Sequence, residues 1–306
     1  MSSNPSRFRS FPLGTYLSFA RRYASHTLEG RRQGPPPMAD LLHRPNPDSW
    51  PNDAITAAWL GHATVLMNFF GTWLVTDPAL ANRIGIRFGG ITLGPRRLTR
   101  PALTARDLPV LDVILISHAH MDHLDLGTLR SFPRSTRVIT HKGVGDLLRR
   151  FHSVEELGWG EHVLHDDLSI TGIGARHWGA RTLTDQQRGY GGFLLEKGNR
   201  RVLFAGDTAY TPLYRELAGG PIDLAILPIG AYDPWIANHA NPEEAWAMAR
   251  DMGATHIMPV HHSTFRLSRE PTDEPLRRLL AAAGAEEWRV VAREIGETWT
   301  LPPGQG

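Results

Sequence analysis

The chain of 306 residues contains no cysteine. Disulfides, thiol nucleophiles, cysteine-based zinc fingers and iron–sulfur clusters are therefore excluded. Lysine is almost as scarce, with only Lys142 and Lys197. No uncharged apolar run approaches the ~18 residues of a membrane span, so the sequence predicts no transmembrane helix. A Gly-x-Ser-x-Gly elbow and a Walker loop are both missing, and Gly172-Ile173-Gly174-Ala175-Arg176-His177 lacks the third glycine of a dinucleotide fingerprint. Charge of one sign is also lacking: 33 basic side chains face 31 acidic ones. A general nucleic-acid-binding surface is thereby not expected.

What remains is the composition of an ordinary globular protein, 41% hydrophobic and 21% charged. The length suits about two domains' worth of chain at roughly 150 residues each. Charge is uneven. Residues 1–37 hold six arginines (Arg7, Arg9, Arg21, Arg22, Arg31, Arg32) against the single Glu29, and end in Gly34-Pro35-Pro36-Pro37. They read as an N-terminal arm with no secretory h-region. Such an arm either touches anionic lipid or packs on the body. Its Arg- and Ser-rich, acid-poor composition also fits an organellar transit peptide. The expected location is cytoplasmic or peripheral on a membrane surface. Residues 38–306 are expected to form the folded domain.

From Ala54 the pattern becomes β. Ala54–Leu60 reads as a strand, Gly61–Thr64 as a turn, and Val65–Phe70 with Thr72–Thr76 as a hairpin across Gly71. Residues 82–107 read as a long functional loop. Leu111–Ser117 is a buried strand, with a helical stretch from about Asp122. Further strands are expected at Arg137–Thr140, 168–175, 190–196, 201–205, 223–228 and His256–Val260. Helices are expected near Val144–Phe151, at Pro242–Met252 and at Glu274–Ala283. The pattern alone predicts an α/β protein with mixed sheets in two successive halves.

Chemistry concentrates in Ser117-His118-Ala119-His120-Met121-Asp122-His123-Leu124-Asp125. Four metal-capable side chains fall within six residues directly after a buried strand. In extended backbone His118 and His120 point to one side. The following turn swings Asp122 and His123 toward a second position. One tetrahedral ion cannot easily use all four, whereas two adjacent ions can. Imidazole and carboxylate without thiolate suit zinc, with iron or manganese as alternatives.

This motif resembles the His-x-His-x-Asp-His signature of the metallo-β-lactamase superfamily. Trp59-Leu60-Gly61-His62-Ala63-Thr64, Thr76-Asp77-Pro78, Gly94-Pro95-Arg96-Arg97, Arg176-His177-Trp178, Phe204-Ala205-Gly206-Asp207-Thr208, Pro228-Ile229-Gly230-Ala231-Tyr232 and His261-His262-Ser263-Thr264-Phe265 follow in order. That series resembles the branch containing N-acyl-phosphatidylethanolamine-hydrolysing phospholipase D, over about residues 50–270. The resemblance implies a four-layer αβ/βα sandwich, two mixed β-sheets flanked by helices. It implies a first metal on His118, His120 and His177, a second on Asp122, His123 and His261, and Asp207 bridging them, hence two Zn2+. His239 lies where the phospholipase branch carries a site histidine, able to donate to a phosphate oxygen or a leaving group. Asp77 resembles a carboxylate that orients a ligand histidine. His62 could be a ligand, a phosphate contact or a turn residue. His262 stands where relatives often carry Trp, at the substrate edge, and Tyr232 with Trp178 and Trp235 suggests either an aromatic substrate groove or core packing.

The implied activity is zinc-dependent phosphodiester hydrolysis of a phospholipid or other small diester. A hydroxide shared by the two metals would attack phosphorus, with Asp122 orienting it. The alternatives are a lactonase resembling the ascorbate-6-phosphate lactonases, and a non-catalytic binding protein on a hydrolase core. A nuclease is disfavoured by the two lysines and the net acidity of the chain beyond the arm.

Overall fold

The computed structural model describes residues 38–302 apart from 90, 183 and 184, so the N-terminal arm lies outside the described residues. Fifteen strands are described. They are β1 (Ile55–Gly61), β2 (Thr64–Phe69), β3 (Thr72–Thr76), β4 (Ile86–Phe88), β5 (Ile91–Leu93), β6 (Val113–Ile116), β7 (Arg137–His141), β8 (Val154–Leu157), β9 (His162–His165), β10 (Leu168–Ile173), β11 (Gly192–Lys197), β12 (Arg200–Phe204), β13 (Ile222–Pro228), β14 (Ala254–Val260) and β15 (Thr298–Leu301). Two mixed sheets result, in the orders β15-β1-β2-β3-β6-β7-β8 and β14-β13-β12-β11-β10-β9, with β4 and β5 as a separate hairpin.

The central strands are buried on both faces, and this explains their nearly unbroken apolar sequences. In β13, Leu224 and Ile226 join the core between the sheets, where they meet Ile114, Leu66 and Ala57 of the first sheet. Ala225 and Leu227 face the opposite way, into a second cluster with Trp246 and Met248. The same alternation splits Val202 and Phe204 from Leu203 in β12. Each fully buried Leu, Ile or Phe contributes ~1.5–3 kcal/mol, so the inter-sheet layer dominates cohesion.

Helices α2 (Pro242–Asp251) and α3 (Glu274–Ala283) complete the outer layer of the second half. α2 starts with Pro242 behind an Asn241–Glu244 capping box and is tied to α3 by the Arg278–Glu243 ion pair at 2.7 Å. The first half is thinner than expected. The helix anticipated from Asp122 is the four-residue α1 (Leu126–Leu129), capped by Asp125, and the one near Val144–Phe151 is a 3-10 turn at Gly145–Leu148. The expected long loop at 82–107 carries the β4–β5 hairpin.

Strand direction places the site. β1 is antiparallel to β2, and β2 to β3, while β3 and β6 are parallel, so β1, β3 and β6 share a direction. By the same reasoning β10, β12, β13 and β14 run together in the second sheet. The segments following these seven strands contain His62, Asp77, His118–His123, His177, Asp207, His239 and His261.

Candidate metal centre

The site is built from behind. Asp77, at the end of β3, accepts hydrogen bonds from Ser117 N (2.7 Å) and the Ser117 hydroxyl, and its Oδ2 lies 2.7 Å from His123 Nδ1. A buried carboxylate in that place fixes the His123 proton on Nδ1 and leaves the Nε2 lone pair facing inward. The Ser117 hydroxyl has one proton, which goes to Asp77, so it accepts from His118 Nδ1 at 2.8 Å. His118 Nε2 is then also a lone pair. His177 Nδ1 donates to the Asn238 carbonyl at 2.9 Å, with the same result.

Two groups of inward atoms follow. His118 Nε2 is 2.8 Å from His120 Nδ1, which is 3.3 Å from His177 Nε2. Lone pairs at such distances repel unless a cation lies among them. A tetrahedral ion with ~2.1 Å bonds holds its ligands roughly 3.4 Å apart, close to this spacing. In the second group Asp122 Oδ2 lies 3.0 Å from His62 Nε2 and 3.6 Å from both His123 Nε2 and His261 Nε2. Asp207 Oδ2 stands between the groups, at 3.1 Å from His123, 3.3 Å from His261, 3.8 Å from His177 and 4.0 Å from His118. Gly206 makes this approach feasible: its φ is +60°, and a Cβ there would come within 2.7 Å of Gly191 O and Ser117 Cβ.

Nε2 of His123 and His261 and Oδ1 of Asp207 are buried without hydrogen-bond partners in the protein. Buried polar atoms are normally paired, so a converging set of orphans fits a divalent cation. Without one, charge is balanced by protons. Burial lowers the proton affinity of His118, His120 (to about 3) and His177. It also opposes protonation of His123 and His261, but Asp207 and Asp122 outweigh it, raising His123 well above the ordinary histidine value and His261 to about 9.

The other expected site residues divide. His62 is buried, at positive φ (55°), and faces Asp122. His239 joins the edge of the cluster, its Nδ1 3.8 Å from Asp207 Oδ2. His262 is turned into the interior. It is buried on Trp59, ring centroids 4.5 Å apart, with Nδ1 2.9 Å from the Ser263 hydroxyl. The Tyr232 hydroxyl donates to Glu274 Oε1 (2.8 Å) and its ring lies under Arg278, which anchors its loop to α3. Trp178 does wall the site, against His120 at 4.4 Å. Sequence reasoning missed Arg181, which donates to the carbonyls of Ala119 (3.0 Å) and Leu124 (2.6 Å) and so holds the metal-ligand loop. Only its distance in space marks it, because nothing in its local sequence does.

Beside that loop lies a cleft of about 700 Å³ under the β4–β5 hairpin, with Ile86, Ile91, Met121 and Leu126 among its apolar walls and Arg87 and Arg130 among its basic ones.

A family model described as the beta-lactamase superfamily domain matches residues 72–262. The chain belongs to the metallo-β-lactamase superfamily. An uncharacterized protein of Mycobacterium tuberculosis is 35% identical over 82% of this chain and 71% of its own length. The Caenorhabditis elegans N-acyl-phosphatidylethanolamine-hydrolyzing phospholipase D 1 is 32% identical over 79% of this chain and 75% of its own. Igni18, a metallo hydrolase from Ignicoccus hospitalis, shares the fold with a TM-score of 0.62 at 21% identity, covering 81% of this chain and 98% of its own. This superfamily member is a metal-dependent hydrolase with a divalent metal cofactor, and its sandwich of mixed sheets is the expected one. No described helix is long and apolar enough to cross a membrane.

Proposed function

We propose that this metallo-β-lactamase superfamily member is a dinuclear zinc phosphodiesterase acting on N-acyl-phosphatidylethanolamine-like phospholipids. The observation that carries the two-metal reading is Asp207 Oδ2 standing within 4.0 Å of histidines from both groups. His118, His120 and His177 would hold one ion, Asp122, His123 and His261 the other, and Asp207 both. When bound, the ions supply Lewis acidity and a water acidified toward neutrality. Asp122 orients the attacking water, and His239 offers an imidazole N–H to a phosphate oxygen. Asp77, Ser117 and the Asn238 carbonyl keep the histidine lone pairs inward. Water oxygen bonds to phosphorus, the bond from phosphorus to the ethanolamine oxygen breaks, and a proton passes to that oxygen. The products are phosphatidic acid and an N-acylethanolamine.

The substrate class rests on the named relative and on the apolar, arginine-edged cleft beside the metal-ligand loop. Residues 1–37, with their six arginines, would add attraction to an anionic membrane. The test is hydrolysis of an N-acyl phospholipid in 18O-labelled water, with metal content measured on the same preparation. Two zinc ions per chain and label in phosphatidic acid are expected. Two ions with turnover of lactones or soluble diesters alone would discard the lipid substrate, and one ion or none with no turnover on metal addition would discard the enzyme reading.

A further inference from the structure

Arg97 comes from the segment after the hairpin and is only 2% exposed. Among the described residues no carboxylate lies within ion-pair distance of it, and the Asp125 charge offsets its burial only in part, leaving its proton affinity lowered to about 10. Its guanidinium donates instead to backbone carbonyls, Nη2 to Ala79 O at 2.7 Å, Nε to Ala81 O at 3.1 Å and Nη1 to Thr99 O at 3.5 Å. Burying a cation on neutral acceptors is unfavourable, and an aliphatic side chain would fill the same volume without that cost. The arrangement therefore calls for something the charge and fork do.

Its contacts join the two backbone turns that carry the rear supports of the second ligand group. Ala79 and Ala81 follow Asp77, the carboxylate behind His123. On the other side, a Cβ at Gly61 would sit 3.0 Å from Arg97 Nη1, so glycine there lets the guanidinium lie against the turn that carries His62. The guanidinium also stacks 5.0 Å from the Phe265 ring, which meets His62 edge-on at 5.2 Å. The backbone repeats the link. Arg97 bridges Phe265, Leu98 N donates to Thr264 O, and the Thr99 hydroxyl donates to Ser263 O. Thr264 Oγ1 accepts the His62 N–H at 2.6 Å, while the His62 carbonyl accepts from His261 N at 2.9 Å. His62 in turn sets Asp122 through the 3.0 Å contact of Nε2 with Oδ2.

We propose that Arg97 is a positioning residue of the metal centre, holding the His62 and Asp77 turns in register so that Asp122, His123 and His261 converge. The inference rests on the two-metal reading above. Its reach is chiefly the Asp122–His123–His261 group: in the other set His118 is linked to Asp77 through Ser117, whereas His177 rests on the Asn238 carbonyl, which Arg97 does not touch.

The experiment uses the full chain as Arg97→Met, Arg97→Lys and Phe265→Leu. Zinc affinities are measured by competition with a chromophoric chelator, beside thermal melts of the metal-free forms and kinetics on bis(p-nitrophenyl) phosphate. Arg97→Met is expected to weaken one of the two zinc steps by roughly tenfold or more, the scale found for residues that support ligands, and the other step less. kcat should fall with little change in KM. Arg97→Lys should recover the effect only in part, since ammonium cannot reproduce the fork. Phe265→Leu keeps the carbonyl bonds and should shift the same step less; it decides the matter alone if Arg97→Met does not fold. Variants that melt lower but bind both ions with unchanged affinity would overturn the proposal. Wild-type protein that binds one ion would overturn the two-metal reading instead, and Arg97 would then be judged by whether that single affinity falls.

Discussion

At the residue scale, left-handed backbone gathers where imidazoles and carboxylates meet. His62 (φ 55°), Asp77 (34°), His261 (66°) and Ser263 (53°) all carry positive φ without being glycine. Such conformations cost roughly 1–2 kcal/mol each and persist only where surrounding bonds hold them. Asp77 shows how they are held, through its bonds to Ser117 and its contact with His123. Asp77→Asn keeps the shape and removes the charge that draws the His123 proton to Nδ1. We expect metal affinity to fall roughly 10–100-fold with the far-ultraviolet circular dichroism spectrum unchanged. Chelator competition checks this, and an unchanged affinity would show that Asp77 serves only the turn.

At the element scale, what was legible in the sequence follows burial. β1, β6 and β13 are buried along their whole length, and their unbroken apolar runs announced them. α2 and α3 were legible through Pro242 with two acids in the first turn and through apolar periodicity. The missed strands β8, β9 and β15 are sheet edges with mixed burial, as His162-Val163-Leu164-His165 illustrates, so their patterns carry half the information. Contiguous motif histidines could be read, as could Asp207 behind Gly206. The roles of His262, Tyr232, Arg97 and Arg181 could not, because each depends on which distant loop the strand order brings alongside. The β4–β5 hairpin was hidden in the same way. Its Ile86, Ile91 and Leu93 are 60%, 50% and 49% exposed, an apolar face a short ribbon does not need for itself. Replacing Leu93, which lies outside the cleft lining, with Ser should weaken partitioning to anionic vesicles and leave turnover of a soluble diester unchanged. Vesicle sedimentation beside a soluble-diester assay tests both halves; equal partitioning would remove the hairpin from membrane contact.

At the scale of the whole molecule, the metal centre stands where the two sheets present their parallel strand ends, so an ion joins loops from both halves. Removing metal should leave the inter-sheet core intact but lower the melting temperature. Saturation at a hundredfold excess over Kd adds about 2.7 kcal/mol, or about 4–5 °C for a chain of this size. The size of that gap should depend on pH. In the metal-free protein Asp207 and Asp122 hold protons on His123 and His261, outweighing burial, with His261 raised to about 9. Groups whose proton affinity rises on folding stabilise fully below their unfolded value of about 6.5, and that contribution is lost as pH climbs through the folded value. The metal-free melting temperature should therefore decline between pH 6.5 and about 9. Metal binding must displace the same protons, so it strengthens over the same interval. The gap between loaded and metal-free protein should widen with rising pH, as melts with and without chelator across that range would show. A constant gap would mean that the two imidazoles are neutral before the metal arrives, and that Asp207 and Asp122 balance their charge some other way.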